Sequence, residues 1–255
     1  MKKFVEKLWI SGVFIIFLFV YSCNSDNEEV VPQEAEVQIP DNALAQAVRQ
    51  RLNLPQEVAF TTENLKGVDS LNLRGTGVNN LTGIEGMTNL VFLDLRELPI
   101  SDISPLKNLR NLKWLSLRET QVNNITALQG HTELEYLNLN RLENITNISP
   151  IANSVKLKEL IVRDVQIGNP GLLVIENFTE LFRLNMRNSG VTDLAPIGRL
   201  MASGALQDKG PEGATIDIRD NPIPNEPGND GYAPVRPYWF TISDRSPEIL
   251  PDPLN

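Results

Sequence analysis

The sequence predicts an α/β solenoid in which short strands form a parallel sheet on the concave side, with a helical cap before it and an irregular cap after it. Two observations carry this prediction. A unit of about 22 residues recurs through the middle of the 255-residue chain, and each unit opens with alternating apolar residues. A composition of 41% hydrophobic and 22% charged residues is that of a globular protein.

The repeated unit begins with the pattern apolar-x-x-apolar-x-apolar. About seven copies span residues 68–223, and the last copy, at 216–223, is degenerate. The first six copies begin at Val68, Leu90, Leu112, Leu134, Leu157 and Leu181. The alternation predicts a short strand that turns every second side chain inward. Because each unit leaves apolar edges that only its neighbours can cover, the units are expected to stack into a solenoid.

These repeats resemble the leucine-rich repeat in its 22-residue, internalin-like bacterial form, over roughly residues 40–224. The resemblance implies a horseshoe with a concave parallel sheet, used as an interaction scaffold. One column departs from the family, which usually has Asn at the turn after the strand to satisfy loop backbone groups. Here that column reads Thr76, Leu98, Thr120, Leu142, Val165, Ser189 and Asn221.

A second column of Asn and Asp lies further along each unit. It consists of Asn80, Asp102, Asn124, Asn147 and Asp193. Side chains of this type accept hydrogen bonds from the backbone two residues on. The column is therefore predicted to cap the turns of the convex side.

Both ends of a solenoid need caps. In the predicted N-terminal cap, 40–67, Asp41 is a candidate N-cap of a helix. The apolar face of that helix comprises Leu44, Ala47, Val48 and Leu52. A short strand near 58–60 and a helical turn at 62–66 are expected to follow.

The predicted C-terminal cap, 224–255, is rich in proline and follows a glycine-rich loop at 201–214. It carries Tyr232, Tyr238, Trp239 and Phe240. These aromatic residues are expected to cover the open end of the core, and a second binding motif is the alternative.

Residues 1–22 have the pattern of a signal peptide. A basic start, formed by Lys2, Lys3 and Lys7, precedes an apolar run at 8–22. That run is shorter than the roughly 20 residues of a membrane span. The sole cysteine, Cys23, follows directly and resembles the acylated cysteine of a bacterial lipobox. A plain secretory signal with an incidental cysteine is the alternative.

The segment 23–39 is acidic and has no basic residue. It is expected to be a disordered tether. Its first residues resemble the signal that directs some bacterial lipoproteins to the outer cell surface. The sequence thus predicts a lipid-anchored protein of the bacterial outer membrane, exposed at the surface or, alternatively, facing the periplasm.

Composition argues against several functions. A formal charge of −9 argues against a nucleic-acid partner, because neutralising phosphates requires a basic surface. The chain has one Cys and one His and shows neither a phosphate-binding loop nor a nucleophile elbow. We therefore predict no metal site, no cofactor and no enzymatic activity. His131 is expected to be a solvated residue of a convex loop.

Three outward columns supply the candidate binding residues, counted from the first apolar residue of each unit. Position three places aromatic residues in three successive units, Phe92, Trp114 and Tyr136. Position five is mostly polar and includes Asp94, Ser116 and Asn138. Position seven is arginine in six of seven units, at Arg74, Arg96, Arg118, Arg163, Arg187 and Arg219, and is Asn140 in the remaining one. Because odd positions alternate away from the core, all three columns are expected on the concave surface.

The aromatic row favours a binding function, since Trp and Tyr anchor contacts in interfaces. The expected partner is a protein or a glycan. An anionic partner is expected because Arg74 and Arg187 have no carboxylate beside them within their own units. Two alternatives stay open: the arginines form a structural ladder with neighbouring acids, and the protein is an envelope spacer without a specific ligand. An exposed aromatic row favours the ligand, and a buried row favours the spacer.

Overall fold

The computed structural model describes residues 35–207, 215–226 and 228–241. The predicted signal peptide, Cys23 and most of the tether lie outside the described residues. So do residues 208–214 of the glycine-rich loop and the end of the chain after residue 241. No helix in the described ranges has the length and apolarity that a membrane crossing requires.

The first helix, α1 (Asn42–Leu52), begins at the predicted N-cap. Oδ1 of Asp41 accepts a hydrogen bond from the N–H of Leu44 at 3.0 Å. Its Oδ2 accepts from the N–H groups of Asn79 and Asn80, at 2.9 and 3.1 Å. A single carboxylate therefore caps α1 and ties it to the first repeat.

A helical turn, α2 (Thr62–Leu65), follows as expected, but the strand predicted near 58–60 is absent. A single bridge between Glu36 and Thr61 takes its place. The reason is local, because the Arg49 side chain donates to the Val58 carbonyl at 2.7 Å and removes a group that a strand partner would use. The Val37 N–H also donates to the Phe60 carbonyl at 2.8 Å, so the last residues of the segment 23–39 are ordered against the cap and are not part of a disordered tether.

The repeats form one sheet. Within the described residues, seven parallel strands pair in chain order. They are β1 (Ser70–Asn72), β2 (Phe92–Asp94), β3 (Trp114–Ser116), β4 (Tyr136–Asn138), β5 (Glu159–Ile161), β6 (Arg183–Asn185) and β7 (Thr215–Asp217). Equivalent residues of successive units lie side by side. This arrangement confirms the predicted leucine-rich-repeat solenoid.

The inward columns form a continuous core. The central residue of each strand and the apolar residue two positions later are buried in the first six units, at Leu71, Leu73, Leu93, Leu95, Leu115, Leu117, Leu137, Leu139, Leu160, Val162, Leu184 and Met186. The phase assigned to the apolar alternation is therefore confirmed.

The convex side is built from short helical turns. The first four units have 3₁₀ helices at Ile84–Gly86, Ser104–Leu106, Thr126–Leu128 and Ser149–Ile151. The next two have α3 (Gly168–Ile175) and α4 (Ala195–Ala202). The unit that carries α3 has 24 residues rather than 22, which gives the wider helix room.

The second Asx column caps these turns as predicted. The side chains of Asn80, Asp102, Asn124, Asn147 and Asp193 each accept a hydrogen bond at 2.8 Å from the backbone N–H two residues on. In the family's usual column, Asn221 accepts from the N–H groups of Ser189 and Val191. In earlier units Thr76 and Thr120 occupy this column. Each threonine hydroxyl donates to one backbone carbonyl, that of Leu73 or Leu117.

The chain after the repeats forms a small antiparallel pair, β8 (Asn225–Glu226) and β9 (Asn229–Asp230), and a 3₁₀ helix at Arg236–Thr241. Tyr232 is buried in the core cluster, and Tyr238 packs partly buried against it. The side chains of Trp239 and Phe240 lie outside the described part of the structure.

His131 is not a solvated loop residue, and that prediction is wrong. Its side chain is fully buried, and Nε2 lies 3.1 Å from the Leu106 carbonyl oxygen. It is three residues before the first apolar residue of the next unit. Met87, Leu109, Ser154 and Phe178 hold the same position in other units and are also buried. His131 therefore belongs to a core column.

Candidate binding surface

The centre of the concave sheet carries three stacked aromatic rings, which we call the aromatic stack (Phe92, Trp114 and Tyr136). The strands β2, β3 and β4 hold these residues in register. The ring centroids of Phe92 and Trp114 are 4.3 Å apart at an interplanar angle of 18°. Those of Trp114 and Tyr136 are 4.5 Å apart at 6°. Because adjacent strands lie about 4.8 Å apart, the sheet itself sets this stacking distance.

All three rings are half-buried, so the row is neither fully exposed nor covered. Ring faces turn toward one another along the stack, and this self-packing accounts for much of their burial. Polar side chains contact Tyr136 and the central ring, Trp114. Asn138 Nδ2 donates to the Tyr136 hydroxyl at 3.1 Å, and the Arg96 guanidinium lies 6.0 Å from the Trp114 ring centre. Burial raises the pKa of the Tyr136 hydroxyl.

Much of position five is buried, contrary to expectation, although Asn72 in the first unit is exposed. Asp94 and Ser116 are fully buried, and Asn138 and Asp217 nearly so. These side chains point away from the core, but they are short and lie between longer residues at positions three and seven. Arg96, for example, bends back to Asp94, and its Nε donates to Oδ1 at 2.9 Å. Outward orientation therefore does not mean exposure in the middle of this sheet.

The arginine column (Arg74, Arg96, Arg118, Arg163, Arg187 and Arg219) is a ladder of ion pairs. Its members pair with Glu97, Asp94, Glu119, Asp164, Asp220 and Asp217, respectively. Arg74 reaches Glu97 at 2.8 Å and Arg187 reaches Asp220 at 2.5 Å. Neither arginine pairs within its own unit, as predicted, but neither is free for a ligand, because a carboxylate of the next unit pairs with each.

Pairing neutralises this face. The hydrogen bond to Asp94 raises the pKa of Arg96. Hydrogen bonding to Arg118 lowers the pKa of the Glu119 carboxyl, with Arg141 adding to the effect. Burial alone would raise the pKa of Asp217, but its bonds to Arg219 outweigh burial and lower it. The arginine column therefore presents no run of uncompensated positive charge.

Two residues of the surface were missed as candidates. Ser116 appeared only as an ordinary member of position five, and Asn140 only as the break in the arginine column. In the structure Ser116 Oγ and Asn140 Oδ1 are buried polar atoms without a hydrogen-bond partner. The interruption of the arginine column at Asn140 was the sequence signal that could have singled out this point.

The described residues include no group of three or more His, Cys, Asp or Glu side chains arranged to hold a metal ion. The surface instead offers apolar ring edges set in a rigid frame of paired charges and hydrogen-bonded amides. Such an arrangement is suited to binding a partner by shape and apolar contact.

Comparison with known proteins places the fold. No protein-family model matches the chain. No curated protein sequence matches it either. Among solved structures, internalin C2 of Listeria monocytogenes is 30% identical with a TM-score of 0.66, and the match covers 77% of this chain and 79% of that one.

Two other solved structures share the architecture. Internalin F of Listeria monocytogenes is 24% identical with a TM-score of 0.58, over 77% of this chain and 66% of that one. A leucine-rich-repeat protein of Leptospira interrogans is 21% identical with a TM-score of 0.53, over 66% and 41%. The repeat geometry and the match to internalin C2 together show that the chain belongs to the internalin-like leucine-rich-repeat proteins, whose fold is a protein-interaction scaffold.

Proposed function

We propose that this protein is a lipid-anchored scaffold of the bacterial cell envelope that binds a protein partner on the concave sheet. The observation that carries the proposal is the half-buried aromatic stack at the centre of that sheet. Large rings that remain open to solvent are typical anchors of interfaces, because covering them removes much apolar surface from water.

The geometry of the stack favours a protein over a glycan. A sugar ring packs its C–H face against an open aromatic face. Here the two faces of Trp114 are turned toward Phe92 and Tyr136, at 4.3 and 4.5 Å, so the stack offers mainly ring edges. Edges pack well against the aliphatic and aromatic side chains of a protein.

The paired arginines remove the earlier reason to expect an anionic partner. Each guanidinium of the arginine column already has a carboxylate within 3.2 Å. Such pairs hold the surface in one conformation, which lowers the entropy lost on binding. We therefore expect association to depend weakly on salt, since little unpaired charge is available to steer the partner.

The anchor follows from the sequence. Acylation of Cys23 would fix the chain to the membrane. Because Glu36 bridges to Thr61 of the cap, residues 24–35 would separate the repeats from the membrane by roughly 17–21 Å. This arrangement suits an outer-membrane protein that presents its concave sheet to a partner outside the cell. A fixed spacer without a ligand is the competing function.

A capture experiment tests the proposal. The full chain in mild detergent is presented to extracellular proteins and, in parallel, to a glycan array. We expect a protein to bind the wild type and Phe182→Ala, which truncates a half-buried aromatic outside the aromatic stack, but not Trp114→Ala. Capture only of glycans would contradict a protein partner. Absence of any Trp114-dependent ligand would favour the spacer.

A further inference from the structure

The two residues after β4 and Leu139 break the charge order of the arginine column. In the preceding unit an arginine at position seven is followed by an acid at position eight, as Arg118–Glu119. The fourth unit instead has Asn140 followed by Arg141. Arg141 is therefore the only cation at position eight, which in the other units is Gly75, Glu97, Glu119, Asp164, Asn188 and Asp220.

The repeat backbone fixes Arg141 at the rim of the concave sheet. Its N–H donates to the Arg163 carbonyl at 3.0 Å, and its φ of 61° is the left-handed conformation of the other non-glycine residues at position eight. A long side chain is uncommon in that conformation. The turn that ends each strand thus holds a cation where most other units hold an acid or a neutral residue.

This substitution leaves one positive charge in excess. Each member of the arginine column has a carboxylate of its own, but Arg141 shares Glu119 with Arg118. Arg141 Nη1 and Arg118 Nη2 lie 2.7 and 3.0 Å from the same oxygen, Glu119 Oε1, and we call these three residues the Arg–Glu–Arg cluster. Glu143, two residues after Arg141, forms no ion pair with any residue that the structure describes.

The excess charge is accessible. The Arg141 side chain is 54% exposed, whereas those of Arg118 and Glu119 are 37% and 24% exposed. In the free protein water solvates the open side of this guanidinium. Arg141 is thus the part of the cluster that a partner can reach, and Glu119 is already enclosed by its two cations.

The cluster is continuous with the aromatic stack. Asn138 Nδ2 donates to the Tyr136 hydroxyl at 3.1 Å, and Asn138 Oδ1 accepts from the Asn140 N–H at 2.9 Å. Arg141 is the next residue, so a short chain of hydrogen bonds joins the stack to the rim. A partner that covers the stack therefore lies beside the cluster, in the usual order of an apolar interface centre and a polar rim.

Charge and shape select the group that Arg141 would bind. A planar guanidinium can hold a carboxylate through two parallel N–H donors, which a neutral group does not match. We propose that Arg141 binds the side chain of an Asp or Glu of the partner, next to the apolar residue that covers the aromatic stack. This step rests on the proposed protein-binding function.

The proposal calls for one carboxylate and not for an acidic surface. The excess is a single charge, and a second carboxylate of the partner would approach Glu119 without a free cation beside it. A single ion pair adds little to the salt dependence of binding, so this contact agrees with the weak dependence expected for the whole interface.

Affinity measurements with the captured protein give the first test. Isothermal titration compares the wild type with Arg141→Gln, Arg141→Lys and Arg199→Gln. Arg199 pairs with Glu176 and lies on α4 of the convex side, so its change removes the same charge far from the stack. We expect Arg141→Gln to weaken binding about 3–10-fold, Arg141→Lys to retain most of the affinity and Arg199→Gln to retain all of it.

A charge swap sharpens this test. Asn140→Arg/Arg141→Glu copies the pair Arg118–Glu119, so every guanidinium of this face gains its own carboxylate. We expect the urea midpoint of unfolding to stay at the wild-type value or rise, and partner binding to weaken more than in Arg141→Gln, because two carboxylates then meet. If this double variant does not fold, Arg141→Gln alone decides.

A double-mutant cycle identifies the carboxylate. Each surface Asp or Glu of the captured protein is changed to its amide, and one such change should weaken binding to the wild type but not to Arg141→Gln. Wild-type affinity in Arg141→Gln, an equal loss in Arg199→Gln, or the absence of a coupled acid would overturn the contact and leave the proposed function standing. Failure to capture any Trp114-dependent protein would overturn both.

Discussion

At the residue scale, His131 shows how a core position accepts a titratable side chain. The ring occupies the column that Leu109 holds one unit earlier, and it is fully buried. Nε2 lies 3.1 Å from the Leu106 carbonyl oxygen. Burial lowers the pKa of His131, and the nearby charge of Arg110 adds to this effect. The folded protein therefore favours the neutral imidazole.

This burial predicts a pH-dependent stability. Because the pKa of His131 is lower in the folded than in the unfolded chain, stability is full above the unfolded value of about 6.5 and is lost as the pH falls toward the folded pKa. We expect the urea midpoint to drop between about pH 8 and pH 5.5. The drop should vanish in His131→Leu, which copies Leu109. An equal drop in that variant would contradict the prediction. His131 is the only histidine of the chain, so no other imidazole contributes to the drop.

Ser116, the last residue of β3, and Leu117, which follows it, should differ sharply in their tolerance of truncation. Leu117 is fully buried among the inward columns, and Leu117→Ala should lower the free energy of unfolding by about 2–5 kcal/mol through lost contacts and a residual cavity. Ser116→Ala should change it by less than about 0.5 kcal/mol. The reason for the second value is the unpaired hydroxyl and not solvent exposure, since Ser116 is buried. Chemical denaturation that gave equal losses would contradict the assigned phase.

At the element scale, local pattern predicted the strands and turns well. The alternation at Leu93 and Leu95 placed β2 and its inward face, and the spacing of Asn124 placed the turn that it caps. Pattern failed where the outcome depends on neighbours from other units. The burial of Asp94 follows from the length of Arg96, and the pairing of Arg187 follows from the stacking of a residue 33 positions away.

The junction between α1 and the repeats depends on one carboxylate. Backbone N–H groups at Asn79, Leu44 and Asn80 outweigh the effect of burial and lower the pKa of Asp41. We expect Asp41→Ala to lower the free energy of unfolding by about 1–2 kcal/mol, because α1 loses its cap and the N–H groups of Asn79 and Asn80 lose their acceptor. Asp102→Ala, which removes a turn cap within a unit, is the matched control. Equal urea midpoints for the two variants would show that the junction adds nothing.

At the scale of the whole molecule, the chain joins the acidic segment 23–39 to a sheet whose charged side chains form ion pairs. Seven in-register strands and a continuous core make the repeats a stiff platform. The repeat family and the sheet were predictable because each unit repeats the same short-range rule. The partners of Arg74 and Arg187 were not, since they come from the next unit and depend on how the units stack.

Attachment to the membrane is a separate prediction. Cys23 is the only cysteine and directly follows the apolar run. Cys23→Ala should release the protein from the membrane fraction or stall removal of residues 1–22. Fractionation with detection of the processed chain measures both. Unchanged membrane retention with normal processing would contradict lipid anchoring. Cys23→Ser is the control, because serine also lacks the thiol but is closer to cysteine in size and polarity than alanine is.

The affinity of the captured partner for Trp114→Ala decides whether the aromatic stack is the binding site. Isothermal titration at about 0.05 M and 0.5 M salt compares this variant with the wild type and Phe182→Ala. We expect Trp114→Ala to weaken binding at least about 30-fold, as for a central interface anchor, with Phe182→Ala unchanged and little effect of salt on the wild type. Equal affinities for all three proteins, or wild-type affinity that falls steeply with salt, would show that the partner binds elsewhere or through charge.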